Sequence, residues 1–98
     1  MFVLHIDPAA EEDITEAAEW YALQSQSAAR QFLDEIYQVI DILFEYPLIY
    51  PKQGKTLHKA TVLRFPFCIF YYILAERIIV VACLHNSRDM NTILKARA

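Results

Sequence analysis

The sequence predicts an α+β domain: an N-terminal strand and a helical hairpin packed on a mainly antiparallel sheet, in the order β-α-α-β-β-β. Three observations carry that prediction. Residues 64–88 hold two apolar, β-branched and aromatic runs, RFPFCIFYYIL and RIIVVACLH, split by a tight turn at Ala75-Glu76, the pattern of a β-hairpin. Upstream, two stretches repeat apolar residues at helical spacing. The 98 residues suit one domain, 1–98, and a chain of this size buries roughly 60–65% of its unfolded surface.

Residues 2–6 form the first strand. Asp7-Pro8 then supplies an N-cap and a proline at the first helical position. Glu11, Glu12 and Asp13 follow where the helix dipole favours acids. Ala10, Ile14, Ala17, Ala18 and Tyr21 make the buried stripe, with Trp20 at its edge. Ser25-Gln26-Ser27 breaks the pattern, and Ser27 can cap a second helix. There Phe32, Ile36, Val39, Ile40 and Leu43 share a face that Leu33, Tyr37 and Phe44 widen, enough to touch both the sheet and the first helix. Pro47 and Pro51 end it, and the YPLIYPKQGK stretch reads as a loop in which Gly54 alone takes positive φ cheaply. Residues 57–63 form a strand, and 67–74 and 77–85 complete a β-meander. Residues 86–98 suit one helical turn or an extra strand.

Placing the turn at Ala75-Glu76 sets Ile73 against Ile78, Tyr71 against Val80 and Ile69 against Ala82. With Phe67 and Leu84, these form the face for the helices. The other face carries Cys68, Phe70, Tyr72 and Leu74 against Ile79, Val81, Cys83 and His85. It is also apolar, yet both helices are used on the first face. Antiparallel sheets normally show water a polar face, so the C-terminal tail or another chain is expected to cover this one. The same register puts Cys68 opposite Cys83, as two packed thiols rather than a redox pair in a reducing compartment.

Composition narrows the class. The chain is 56% hydrophobic with one glycine and two cysteines, which excludes a disordered tail and a disulfide scaffold. No apolar run reaches the ~20 residues of a membrane span. The start lacks the pattern of a signal peptide, so the cytoplasm is the expected location. The net charge of −3 hides a split. Through Pro51 ten acids face Arg30 alone, net −9; from Lys52 onward eight bases face Glu76 and Asp89, net +6. An acidic helical half and a basic sheet half make an electrical dipole. Solvated helix faces account for the first; the second suits an anionic partner.

DPAAEEDITEAAEWYALQS, SAARQFLDEI, YPLIYP and RFPFCIFYYI…IIVVACLHNSRD, in that order and spacing, resemble the RelE/ParE superfamily of bacterial toxins, in particular ParE-like members of the plasmid stabilisation type. The resemblance spans nearly the whole chain. It implies the toxin half of a type II toxin–antitoxin system, silenced by a cognate antitoxin whose extended or helical segment wraps around it. ParE-like members inhibit DNA gyrase; RelE-like members cut mRNA on the ribosome.

The two activities need different residues. Cleavage of RNA requires an acid, a base and cations around the scissile phosphate. Relatives that cleave often carry arginine at the positions of Cys68 and Tyr72, so a catalytic set would reduce to His85, Arg88, Arg64 and Tyr72. Inhibition of gyrase by binding is therefore the leading expectation, with Arg88, Lys95 and Arg97 toward the target and Phe70, Tyr72 and Val81 toward the antitoxin. A ribosome-dependent mRNA endonuclease and a degenerate, non-toxic binding module are the alternatives. His85, beside Asn86 and Ser87, also suits an ordinary turn residue. His5 and His58 lack metal-ligand spacing; no phosphate loop or nucleophile elbow is present, and no metal or cofactor is expected.

Overall fold

The structure, a computed structural model, describes residues 1–97. Its elements are β1 (Val3–Ile6), α1 (Pro8–Gln24), α2 (Gln26–Glu45), β2 (Lys52–Gln53), β3 (Leu57–Thr61), β4 (Phe67–Leu74), β5 (Arg77–His85) and α3 (Met90–Arg97). The five strands form one sheet in the order β1-β5-β4-β3-β2. β1 runs parallel to β5, Val3 beside Arg77 and Ile6 beside Val80, and every other pairing is antiparallel. This is the expected α+β architecture.

The helical hairpin covers one face of the sheet. Pro8 opens α1 as predicted, although Asp7 makes no side-chain cap. The break between the helices is tighter than expected. Ser25 alone is extended, and its hydroxyl accepts from the Ala28 N–H at 2.9 Å. Ser25, not Ser27, is therefore the cap, because one non-helical residue suffices to reverse the chain. Phe32, Ile36, Ile40 and Leu43 of α2 and Ala10 and Ile14 of α1 are buried against Ile69, Tyr71, Ile78 and Val80. Phe32 sits in an aromatic group, its ring 5.1 Å from Tyr21, 5.4 Å from Phe65 and 5.0 Å from Phe67.

The proline-rich connection is not all loop, since Lys52 and Gln53 pair with His58 and Leu57 as a short edge strand. Two buried side chains anchor it. His58 donates its Nδ1–H to the Tyr50 carbonyl at 2.7 Å, and the Tyr71 hydroxyl donates to the Pro47 carbonyl at 2.8 Å. The two rings stack 4.9 Å apart. Gly54 has φ +87° as the turn requires. β3 ends at Thr61, two residues earlier than predicted.

The β4–β5 hairpin departs from the predicted register halfway along. From the turn to Tyr71↔Val80 the pairing is as expected, but Phe70 pairs with Ala82, Ile69 with Cys83 and Phe67 with His85. Val81 is thus an extra residue, a β-bulge. Beyond it β5 exchanges faces: Ala82 and Leu84 join Cys68, Phe70, Ile79 and Val81 on the second face, while Cys83 joins the helix-side core. The cysteines are accordingly not opposed. Cys68 donates to Asn86 Oδ1 at 3.1 Å on one side, and Cys83 lies on the other.

The second face is covered in part by the chain's own tail. Residues predicted as a single turn or a strand form the two turns of α3, and its Met90, Ile93 and Leu94 pack on the second-face cluster. Asp89 caps it, accepting from Thr92 N and Thr92 Oγ1, and those bonds hold its carboxyl below the usual range.

Candidate functional site

The bulge decides where the chemistry at the end of β5 points. By turning His85 onto the helix side, it brings that ring edge-on to Phe67, 5.1 Å away. Together with Arg88, His85 then lines a cleft of about 480 Å³ whose other wall is α1, with Asp13, Glu16, Trp20 and Tyr21. The expected register put His85 on the same face as Tyr72; the bulge places it on the opposite one.

Local bonds fix the imidazole. Both the Ser87 N–H (3.0 Å) and the Ser87 hydroxyl (2.7 Å) lie against His85 Nδ1. A backbone N–H only donates, so Nδ1 is the acceptor and the neutral ring carries its proton on Nε2. His85 Nδ1 thereby closes the Asn86–Ser87 corner. Arg88 is exposed, and its N–H donates to the His85 carbonyl at 3.0 Å. Trp20, 57% exposed, stands against Tyr21 at 5.0 Å, edge to face, and offers the cleft an aromatic wall. Its position at the rim of the apolar stripe was the only sequence signal for that role.

The four residues expected to form a catalytic cluster fall in three places. His85 and Arg88 share the cleft. Arg64 lies beside Glu35 of α2 at 3.6 Å, mostly exposed. Tyr72 is on the second face with Val81, Leu57, Leu74 and Leu94, around a hollow of about 420 Å³. None of the clefts is lined by all four.

The predicted partner-binding residues also divide. Phe70 has no exposed surface and Val81 only 8%, both in the cluster on which α3 packs. Phe70 is therefore a core residue, while half-buried Tyr72 and exposed Leu74 mark the part of that face left open. Of the cations expected to face a target, Arg88 and Lys95 are exposed. Arg97 is not free. Its Nη2 donates to Asp13 Oδ1 at 2.8 Å, and its Nη1 contacts Asp13 Oδ2 and the Val81 carbonyl, the latter at 3.2 Å. The Asp13 carboxylate raises the pKa of that guanidinium further. Asp13 in turn accepts from the Cys83 N–H at 3.0 Å. Burial, then the Asp13 charge and Cys68, push the Cys83 thiol up to about 12. Among the described residues no cluster of histidine, cysteine and carboxylate groups is arranged to hold a metal. No helix among them is long and apolar enough to cross a membrane.

A helical hairpin on one face of this sheet and a short C-terminal helix on the other define a two-sided α+β fold, and two comparisons place it. The sequence model described as the ParE toxin of type II toxin-antitoxin system, parDE, matches residues 4–90. The chain belongs to that family and is a type II toxin by class. Among solved structures it is similar in fold to a chain from the chromosomal ParDE TA system from P. aeruginosa, with a TM-score of 0.67 at 13% identity, over 87% of this chain and 96% of that one. No curated protein matches it.

Proposed function

We propose that the protein is the toxin of a ParDE-type pair, neutralised by a cognate antitoxin and acting on DNA gyrase by binding rather than by catalysis. The observation that carries the choice is the separation of the ionisable groups. Cleavage of RNA asks for an acid, a base and cations converging on one phosphate, whereas the cleft that His85 and Arg88 line is lined by neither Arg64, which pairs with Glu35, nor Tyr72, which lies on the second face. Binding needs only a complementary surface. The cleft of Trp20, His85 and Arg88 has the aromatic anchor and the arginine that dominate protein interfaces, which favours it as the target-facing site.

For the antitoxin, the open part of the second face around Tyr72, Leu74 and Leu57 is the apolar surface that a partner would cover. Exposed Lys95 sits on the adjoining helix, and the antitoxin segment is accordingly apolar with acidic flanks. The location that fits this function is the cytoplasm.

Purified gyrase tests the target directly. Supercoiling is expected to fall at micromolar toxin and to recover on addition of antitoxin. Unchanged supercoiling, with new mRNA ends within codons on primer extension from expressing cells, would transfer the protein to the ribosome-dependent endonucleases.

A further inference from the structure

The sheet ends in an edge that its last strand covers only in part. β2 has two residues and pairs with Leu57 and His58; the Lys59 N–H adds a bond to the Pro51 carbonyl at 3.0 Å. That bond shows that the backbone groups of Lys59 point away from β4. By the alternation of a strand, those of Thr61 do too, and no strand lies beyond them. Val62 returns inward, its N–H donating to the Phe67 carbonyl at 3.0 Å. The free edge at Thr61 opens into a groove of about 430 Å³ between β3 and α2.

The groove is apolar in its walls and basic at its lip. Val39 and Ile42 of α2 face Leu63, which is 81% exposed, and Tyr50 closes one end. Lys52 and Lys59 stand at the rim, and Lys55 is in the adjacent turn. Glu35 is the only acid lining it, and Arg64 lies 3.6 Å from that carboxylate. An exposed strand edge with apolar neighbours is normally protected or used. Here the lysines protect it against a second copy of the same edge, since like charges would meet.

We infer that this groove takes an extended segment of the antitoxin, which adds as a strand beside Thr61, sets apolar side chains between Ile42 and Leu63, and turns acidic ones toward Lys52 and Lys59. Main-chain bonds to the edge supply affinity and the alternating side chains supply selectivity. The inference rests on the antitoxin reading above and adds a second, separate contact to the one on the Tyr72 face.

The test uses the toxin and the product of the reading frame adjacent to its gene. In the complex, amide exchange at Thr61 is expected to slow at least tenfold relative to free toxin. The double substitution Lys52→Glu/Lys59→Glu should weaken the Kd at least tenfold. Thr61→Pro, which removes only an outward N–H, should weaken it with the thermal midpoint of the free toxin little changed. A complex that forms with Thr61 exchange unaltered and both variants binding normally overturns the groove and leaves the antitoxin reading standing. Failure of the two proteins to associate at all removes both.

Discussion

Asp13 on α1 and Arg97 on α3 meet across the open half of β5 and take the place of a missing strand. β1 pairs with β5 only as far as Val80, because the chain turns into α1 after Ile6. Beyond that point the Val81 carbonyl and the Cys83 N–H face the vacated edge. Arg97 donates to the first at 3.2 Å, Asp13 accepts from the second at 3.0 Å, and the two side chains pair with each other at 2.8 Å. Unpaired backbone groups at a sheet edge are costly when buried, and here a carboxylate and a guanidinium satisfy them.

The pair also ties α3 to the body of the protein, since none of that helix's residues is fully buried. Asp13→Ala should destabilise by about 2–4 kcal/mol, because it strands both the Cys83 N–H and a part-buried guanidinium. Arg97→Ala should cost less, about 1–2 kcal/mol, and speed amide exchange in α3 selectively. Arg97→Lys should not restore it, since an ammonium cannot make the two-point contact. Denaturant unfolding and exchange measure both effects; equal costs for the two alanine variants, with α3 unaffected, would refute the edge role.

The thiols give a prediction in pH. Burial first, then the Asp13 charge, raise Cys83 from an ordinary value near 9 to about 12. In the unfolded chain the thiol ionises above about pH 9, while the folded protein keeps its proton. Folding is therefore fully favoured below that value and weakens as pH rises toward about 12, by at most about 1.4 kcal/mol per unit. Burial of Tyr71, raised from 10 to about 12, acts in the same direction. Between about pH 8 and 11 the wild type should lose more thermal stability than Cys83→Ala; parallel curves would contradict it. With both cysteines buried, on opposite faces, neither should react with a thiol reagent until the protein unfolds.

The sequence was most informative where one face of an element is polar, and least where both are apolar. α2 has a clear apolar stripe, and its core residues Phe32, Ile36, Val39, Ile40 and Leu43 are all buried as predicted. β5 reads IIVVACL without a polar residue to fix which side faces the helices. In such a strand a one-residue slip changes little in apolar burial, so the bulge at Val81, and with it the side to which His85 turns, could not be read. Asp13 was legible and read otherwise. It stands three residues after Ala10 and four before Ala17, on the buried side of α1, where an acid needs a partner, yet its place in the first turns also suited the helix dipole. Its partner Arg97 lay in a tail too short for periodicity to define.

The helix boundary offers a compact test of local chemistry. Ser25 Oγ satisfies the Ala28 N–H, while Ser27 accepts only from the exposed Gln31 side chain at 3.4 Å. Ser25→Ala should cost about 1 kcal/mol. Ser27→Ala should stay within about 0.5 kcal/mol of wild type. Chemical denaturation of the two variants decides, and the reverse order would move the cap back to Ser27.

The division of ionisable groups makes its strongest claim on toxicity. If the protein acts by occupying gyrase, His85→Ala should leave growth inhibition within a few-fold of wild type. The ring's Nδ1 bond to Ser87 closes an exposed corner that the remaining backbone bonds also hold. Trp20→Ala, which removes the aromatic wall of the same cleft, should weaken inhibition more, as loss of a central aromatic anchor costs about 2 kcal/mol or more. Arg88→Ala should fall between them and gain in effect at low salt, since an exposed guanidinium acts mainly through screened attraction. Loss of a general acid or base in an enzyme removes ~10²–10⁴-fold in rate. Abolition of toxicity by His85→Ala, with antitoxin binding and folding intact, would therefore mean that the histidine moves a proton and that the toxin cuts RNA. Titrating gyrase supercoiling against each variant, beside growth curves on expression, separates an anchor from a catalyst.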